Sequence, residues 1–171
     1  LRLEVDERMD YQGNELVPLN EKDVEKCVEF FRKEGVEAIA VVYLHSYVNA
    51  AHEIRTEELI SRLWPEVEVT ASYNVSKEWR EYERSTTAVL NSYVKPTAKK
   101  YIDRLYGMLE EMKIHSPKYI MQSNGGTTTF EKAKELPINM VESGPVAGIY
   151  GAAMLGKMLG EDKIISFDIG G

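Results

Sequence analysis

Two short glycine turns hold the residues best suited to chemistry. Ser123-Asn124-Gly125-Gly126 and Asp168-Ile169-Gly170-Gly171 each follow a hydrophobic run that reads as a strand. In open α/β sheets ligands gather at the carboxyl ends of strands, and glycine there lets backbone N–H groups approach an anion with no Cβ in the way. An isolated pair of glycines is equally what a plain tight turn requires. A second feature is the density of small residues between Gly144 and Gly156, namely Gly144, Ala147, Gly148, Gly151, Ala152, Ala153 and Gly156. Glycine inside a helix costs about 1 kcal/mol relative to alanine, so such a run implies close approach of another backbone or of a ligand. His45 and His52 are too widely and irregularly placed for a metal spacing such as H-E-x-x-H and read as structural loop contacts. The charged cluster Glu78, Arg80, Glu81, Glu83 and Arg84 reads on its own as a solvated helix face.

The elements that must position these residues follow from periodicity. Residues 1–10 alternate apolar and charged side chains, and a second extended piece at 15–19 completes a β-hairpin over 1–19. Asn20 stands at a helix N-cap, with Val24, Cys27, Val28 and Phe31 on one face and Gly35 as terminator. The apolar run 36–44 predicts a strand buried on both faces. Asn49 then caps a helix carrying Ile54, Leu59, Ile60 and Leu63, and 67–71 forms the next strand, a βαβ crossover. Residues 76–112 predict two helices or a kinked one, divided by Pro96, with Tyr101, Leu105, Met108 and Met112 as a core stripe. A strand over 119–121, a helix over 130–136 ended by Pro137, a helix over 146–159 and a strand over 164–167 complete the chain. The fold class is α/β, and 20–122 and 123–171 follow the hairpin as parts of one fragment. Starting at Leu1 and ending in mid-turn, the chain reads as a piece of a larger protein.

A net charge of -7, from 21 Lys and Arg against 28 Asp and Glu, excludes a nucleic-acid partner in the ordinary sense, since phosphates select clustered cations. The single cysteine, Cys27, forms no internal disulfide, which fits a reducing cytoplasm. No apolar run is long enough to cross a membrane and no leader is visible.

The small-residue helix opened by Gly144-Pro145, leading through a loop into a strand, Asp168 and Gly170-Gly171, resembles the linking helix and second phosphate loop of the actin and sugar-kinase ATPase superfamily, whose fold is ribonuclease H-like. Further residues sharpen this. Leu44-His45-Ser46-Tyr47 with Asn49 and His52-Glu53, Glu81 to Thr87 with Asn91, Tyr93 and Pro96, Met121 to Gly126, Ser143-Gly144-Pro145 with Gly148 and Gly151-Ala152, and Asp168 to Gly171 occur in order and are similar to the hydantoinase A/5-oxoprolinase family.

That resemblance implies an ATP-dependent subunit that hydrolyses a small cyclic amide by phosphorylating its carbonyl oxygen, with a hydantoinase B-like subunit or domain as partner in a hetero-oligomer. It implies ATP and Mg²⁺ as cofactors. Asp168 would approach the metal through water, as a carboxylate suits a hard cation that keeps its waters. Gly170, Gly171, Ser123, Gly125, Gly126, Ser143 and Gly144 would line the nucleotide, and Asn124, Arg84 and Thr86 would be active-cleft residues, Asn124 as donor to a carbonyl or phosphate. The family's first phosphate loop and adenine segment lie outside this sequence. An ATP-dependent acetone or acetophenone carboxylase subunit, a non-catalytic actin-like nucleotide-binding module and a purely partner-docking lobe are the other readings.

Overall fold

The computed structural model describes residues 1–169, and the fold is α/β. Two compact units divide the chain, Leu1–Thr97 and the remainder from Ala98. The calls on Gly170 and Gly171 lie outside the described residues.

In the first unit the N-terminal alternation produces an antiparallel hairpin of β1 (Arg8–Met9) and β2 (Glu15–Val17). The strands are shorter than the alternation predicts, and their register slips between Arg8 and Met9. The turn explains the shortening. Asp10 accepts the main-chain N–H of Gln12 and of Asn14, each at 2.8 Å, so it closes a side-chain-capped turn in place of further ladder. Gly13 is needed there, because it has φ +85° and Val48 and Asn49 press against it.

Helix α1 (Glu21–Lys33) begins after Asn20 as expected, but the Asn20 side chain donates to the Asp23 carboxylate at 2.9 Å and does not cap the helix. Strand β3 (Ala38–Val41), helix α2 (Ala51–Leu63) and strand β4 (Glu68–Ala71) form the βαβ unit, paired in parallel from Ala38 opposite Glu68 to Val41 opposite Ala71. The expectation of a strand buried on both faces is corrected: β3 alternates half-buried and buried residues and, among the described residues, pairs with β4 alone. The core gathers Val24 and Val28 of α1, Ile39 and Val41 of β3, Leu59 and Ile60 of α2, and Val67, Val69 and Ala71. A further correction concerns α2, whose Ile54 is exposed while His52, Glu53 and Thr56 are buried. Its inward face is polar for the first turns and apolar only afterwards.

A four-residue helix α3 (Ser72–Val75) follows β4, and 76–80 is irregular. The long helix α4 (Glu81–Glu111) thus starts later than Ser76, and it runs on with Pro96 inside it, not as two helices. Proline removes one backbone donor and obstructs a carbonyl one turn earlier. Anchors on the turns before it compensate, with Asn91 donating to Thr70 at 3.2 Å and Lys95 to the Val69 carbonyl at 2.6 Å.

In the second unit β5 (Tyr119–Met121) pairs antiparallel with β6 (Thr127–Thr129), a strand the sequence reading did not anticipate. Helix α5 (Phe130–Glu135) is capped by the Thr129 hydroxyl, which accepts from Lys132 N–H at 3.3 Å. A 3-10 turn (Pro137–Met140) leads to α6 (Ser143–Leu159). The small core is Ile102, Phe130 and Ala133, edged by Leu105, Leu109, Ile120 and Met140. The expected stripe is therefore corrected: Tyr101, Met108 and Met112 face outward, and the helix is turned by one residue so that Ile102 meets Phe130 and Ala133. Residues 161–169 form no strand, against the expectation for 164–167, and Ile165 is 92% exposed. A strand needs a ladder partner, and none is present among the described residues. No helix of the described residues is long and apolar enough to cross a membrane.

Candidate functional site

In the first unit the carboxyl ends of β3 and β4 are tied together by a buried carboxylate. Glu53, in the first turn of α2, is fully buried. One of its oxygens accepts Tyr43 N–H at 2.8 Å and the Ser72 hydroxyl at 2.7 Å, and the other accepts Tyr73 N–H at 2.9 Å. Tyr43 follows β3 and Ser72 follows β4, so one side chain fixes both strand exits. A helix N-terminus favours such an anion. Ser46 extends the network to Ser72 at 3.2 Å. The Tyr43 and Thr56 hydroxyls are hydrogen-bonded at 3.0 Å, and burial pushes the Tyr43 phenol well up. Nearby His45 sits at φ +58°, an uncommon conformation for a non-glycine residue, and its carbonyl accepts Val48 N–H at 2.9 Å.

Arg84 closes the same region from α4. It is fully buried, donates to the Tyr43 carbonyl at 2.6 Å and to the Glu78 carbonyl at 3.2 Å, and lies 5.6 Å from the Tyr47 ring centre. Its Nε has no hydrogen-bond partner among the described residues. The predicted pair Arg84 and Thr86 is not brought together: Thr86, two residues on, faces solvent from the other side of the helix. Arg84 therefore acts on the loops around the strand ends, which is a structural use of a residue the sequence places in a charged surface cluster.

In the second unit Ser123, Asn124, Gly125 and Gly126 form the turn of the β5–β6 hairpin. Its main-chain donors are largely engaged. Gln122 N–H bonds the Gly126 carbonyl at 2.8 Å, Gly125 N–H the Gln122 carbonyl at 3.0 Å, Ser123 N–H the Asn139 carbonyl at 2.7 Å, and Gly126 N–H the Asn124 side-chain oxygen at 2.8 Å. What the turn presents outward is the NH₂ of the Asn124 carboxamide, whose oxygen is held by Gly126. Gly125 has φ +83°, and the Tyr150 ring of α6 occupies the place a Cβ would take. The close approach expected along the small-residue run of α6 is not met at Gly144, Gly148 or Gly151, where nothing described lies within 4 Å of a Cβ position, and at Gly156 the neighbours are Ile164 and the Glu161 carbonyl.

The start of α6 differs. Glu142 precedes it at φ +62° and its carbonyl accepts Val146 N–H at 3.4 Å, while Pro145 has no N–H. Ser143 and Gly144 supply the first-turn donors, and nothing lies within 4 Å of where a Gly144 Cβ would stand. These two N–H groups and the helix dipole suit a phosphate oxygen. Asp168 is exposed on the irregular segment after α6. The described residues contain no group of three or more His, Cys, Asp or Glu able to hold a metal ion.

Sequence reasoning read His52 as a structural loop contact and met Glu53 only within a motif, and it passed over Ser72 and Tyr43. The available signal was a His-Glu pair in the first turn of a helix, where a charged residue is ordinarily solvated; only the strand ends converging on it make it a core residue.

The description Hydantoinase/oxoprolinase matches residues 84–171, and its N-terminal region matches 1–64. An uncharacterized protein of Methanocaldococcus jannaschii is 39% identical over 99% of this chain and 25% of its own length. The caprolactamase subunit alpha of Pseudomonas jessenii is 31% identical over 100% of this chain and 25% of its own length. The crystal structure of the ATP-dependent caprolactamase from that organism superposes with a TM-score of 0.83 at 30% identity, covering 98% of this chain and 24% of that one. A nucleotide-free acetone carboxylase structure, from work on ATP-dependent acetone carboxylation, gives 0.80 at 28% identity, covering 91% and 22%. The chain spans about a quarter of the length of the relatives it matches. With the family description covering more than half of its residues, the chain belongs to the hydantoinase/oxoprolinase family.

Proposed function

We propose that this chain is part of the ATP-dependent subunit of a cyclic-amide hydrolase. The observation that carries the reading is the similarity, along the whole chain, to a caprolactamase subunit whose structure is described as ATP-dependent. A lactam is a poor electrophile because its nitrogen lone pair is delocalised into the carbonyl. ATP, when bound, would supply a phosphoryl group to the amide oxygen, with ADP leaving as the new P–O bond forms, and so make that oxygen a better leaving group. The remaining work is positioning and charge neutralisation. Ser143 and Gly144 would hold phosphate oxygens through main-chain N–H groups, and the Ser143 hydroxyl adds a third donor. Asn124, with its oxygen fixed on Gly126, presents its NH₂ to a carbonyl or phosphate oxygen. Asp168 would hold Mg²⁺ through water, together with Gly170 and Gly171 on the nucleotide, while Ser123, Gly125 and Gly126 shape the turn that carries Asn124. Arg84 orders the loops around the strand ends and would act on the cleft through them. Thr86 remains a cleft candidate from its exposed face. The similarity to a protein named as an alpha subunit supports a hetero-oligomer; a hydantoinase B-like partner and a cytoplasmic location are part of the proposal.

The test is to express the protein with a neighbouring B-type subunit and measure ATP hydrolysis against hydantoins, 5-oxoproline, lactams and small ketones. Stimulation by a cyclic amide, abolished in Asp168→Ala, is the expected result; no stimulation by any amide would sink the proposal. A second reading, ATP-dependent ketone carboxylation, is favoured by the acetone carboxylase superposition. It predicts stimulation by a ketone with bicarbonate and none by lactams.

A further inference from the structure

His52 is 5% exposed and sits between two carboxylates contributed by the N-terminal hairpin. Its Nδ1 is 2.8 Å from Glu7 Oε2, just before β1, and its Nε2 is 2.8 Å from Glu15 Oε2, the first residue of β2. A carboxylate only accepts, whereas a neutral imidazole has one donor nitrogen and one acceptor nitrogen. A neutral ring would therefore set a lone pair against a carboxylate oxygen at hydrogen-bonding distance on one side. Both contacts are satisfied together when both ring nitrogens carry protons. We infer that His52 is an imidazolium latch that fastens the hairpin to the first turn of α2, and that loss of its proton releases the hairpin.

The surroundings support a charged ring. Burial disfavours it, but the hydrogen bonds and charges of Glu7 and Glu15 outweigh burial and raise the His52 pKa above the ordinary 6.5. The other titratable groups around α2 are engaged elsewhere. Glu53 is turned to Tyr43, Ser72 and Tyr73; Glu21 of α1 is paired with Arg55 at 2.7 Å; Cys27 of α1 and Tyr43 are both pushed up by burial, and Tyr73 is pushed up by burial and by Glu57. A raised folded-state pKa means that the latch contributes fully below pH 6.5 and fades as pH rises through the higher folded value. Because Glu53 is the next residue, the hairpin and the ends of β3 and β4 are attached to consecutive positions of one helical turn.

The experiment is nitrogen-15 NMR of the protein labelled at its 3 histidines, followed from pH 5 to 9, with His52 assigned by His52→Gln. The expected result is a ring protonated on both nitrogens at pH 7 and titrating above 6.5, with amide protection in residues 8–17 falling over the same range. Glu15→Gln, at a half-exposed position, should move the midpoint down toward 6.5 and bring the loss of hairpin protection down with it. A ring carrying one proton at pH 7, or hairpin protection independent of the His52 titration, would overturn the latch.

Discussion

The two compact units differ in how much of their own apolar surface they bury. The first has a continuous core from α1, α2, β3 and β4, and its buried polar residues are built into a network around Glu53. The second has a three-residue buried cluster, and α6 leaves Ile149, Tyr150, Met154, Leu155, Met158 and Leu159 exposed. Burial of apolar surface is the dominant favourable term in folding. The first unit therefore carries its own stability, whereas the second carries the proposed phosphate and metal contacts on elements with little packing of their own.

Substitutions can break or sharpen this contrast. The largest effect is expected from Glu53→Ala, which strands two partly buried main-chain N–H groups and the buried Ser72 hydroxyl. A loss of about 3–5 kcal/mol is expected, read from the urea midpoint; a loss under about 1 kcal/mol would mean that water replaces the carboxylate and the network is not a stabilising feature. Next, Leu59→Ala, at a fully buried position of the first core, should cost about 2–5 kcal/mol. The companion Ile102→Ala should act on the second unit, seen as faster amide exchange confined to residues 98–140. If both variants lower one common transition equally, the contrast between the units fails.

Gly125→Ala follows in size. The left-handed backbone alone costs about 1–2 kcal/mol for a non-glycine residue, and the Tyr150 ring adds a clash. Thermal unfolding of Gly125→Ala, Tyr150→Ala and the double variant separates the two terms. Recovery of part of the loss in the double variant is expected, and strictly additive losses would remove Tyr150 from the turn. The smallest effect is expected for Met158→Ser, at a residue 79% exposed. Stability should change by less than about 0.5 kcal/mol, as for other exposed positions, and binding of a hydrophobic dye should fall. A loss above about 1 kcal/mol in the same unfolding assay would show that α6 is covered in solution and would cancel the contrast.

Much of the fold was legible because periodicity reports which face is buried. Val24 and Val28, the βαβ order and the glycine turn at 123–126 all follow from local pattern. The rotation of α4 was not legible, since Tyr101, Met108 and Met112 make as good a stripe as Ile102, Leu105 and Leu109; contact with Phe130 and Ala133 selects between them. Nor was the missing strand at 164–167, because an apolar run states a preference for pairing and not the presence of a partner. For the candidate site, Asn124 and the opening of α6 were readable as turn and cap chemistry. The engagement of Ser123 was not, since its N–H and hydroxyl both bond the Asn139 carbonyl, sixteen residues away in the chain.

By itself the sequence determined the α/β class, the order of elements from the first hairpin through β5, and the family, since these rest on local propensity and on motifs whose spacing survives along the chain. Only the tertiary structure decided the fates of His52, Glu53 and Arg84. Charged residues near helix starts look alike in sequence, and their cost or benefit is fixed by what surrounds them in space. Two carboxylates on the hairpin, and converging strand ends with unpaired N–H groups, turn the first two into a latch and a tie. Two main-chain carbonyls do the same for Arg84.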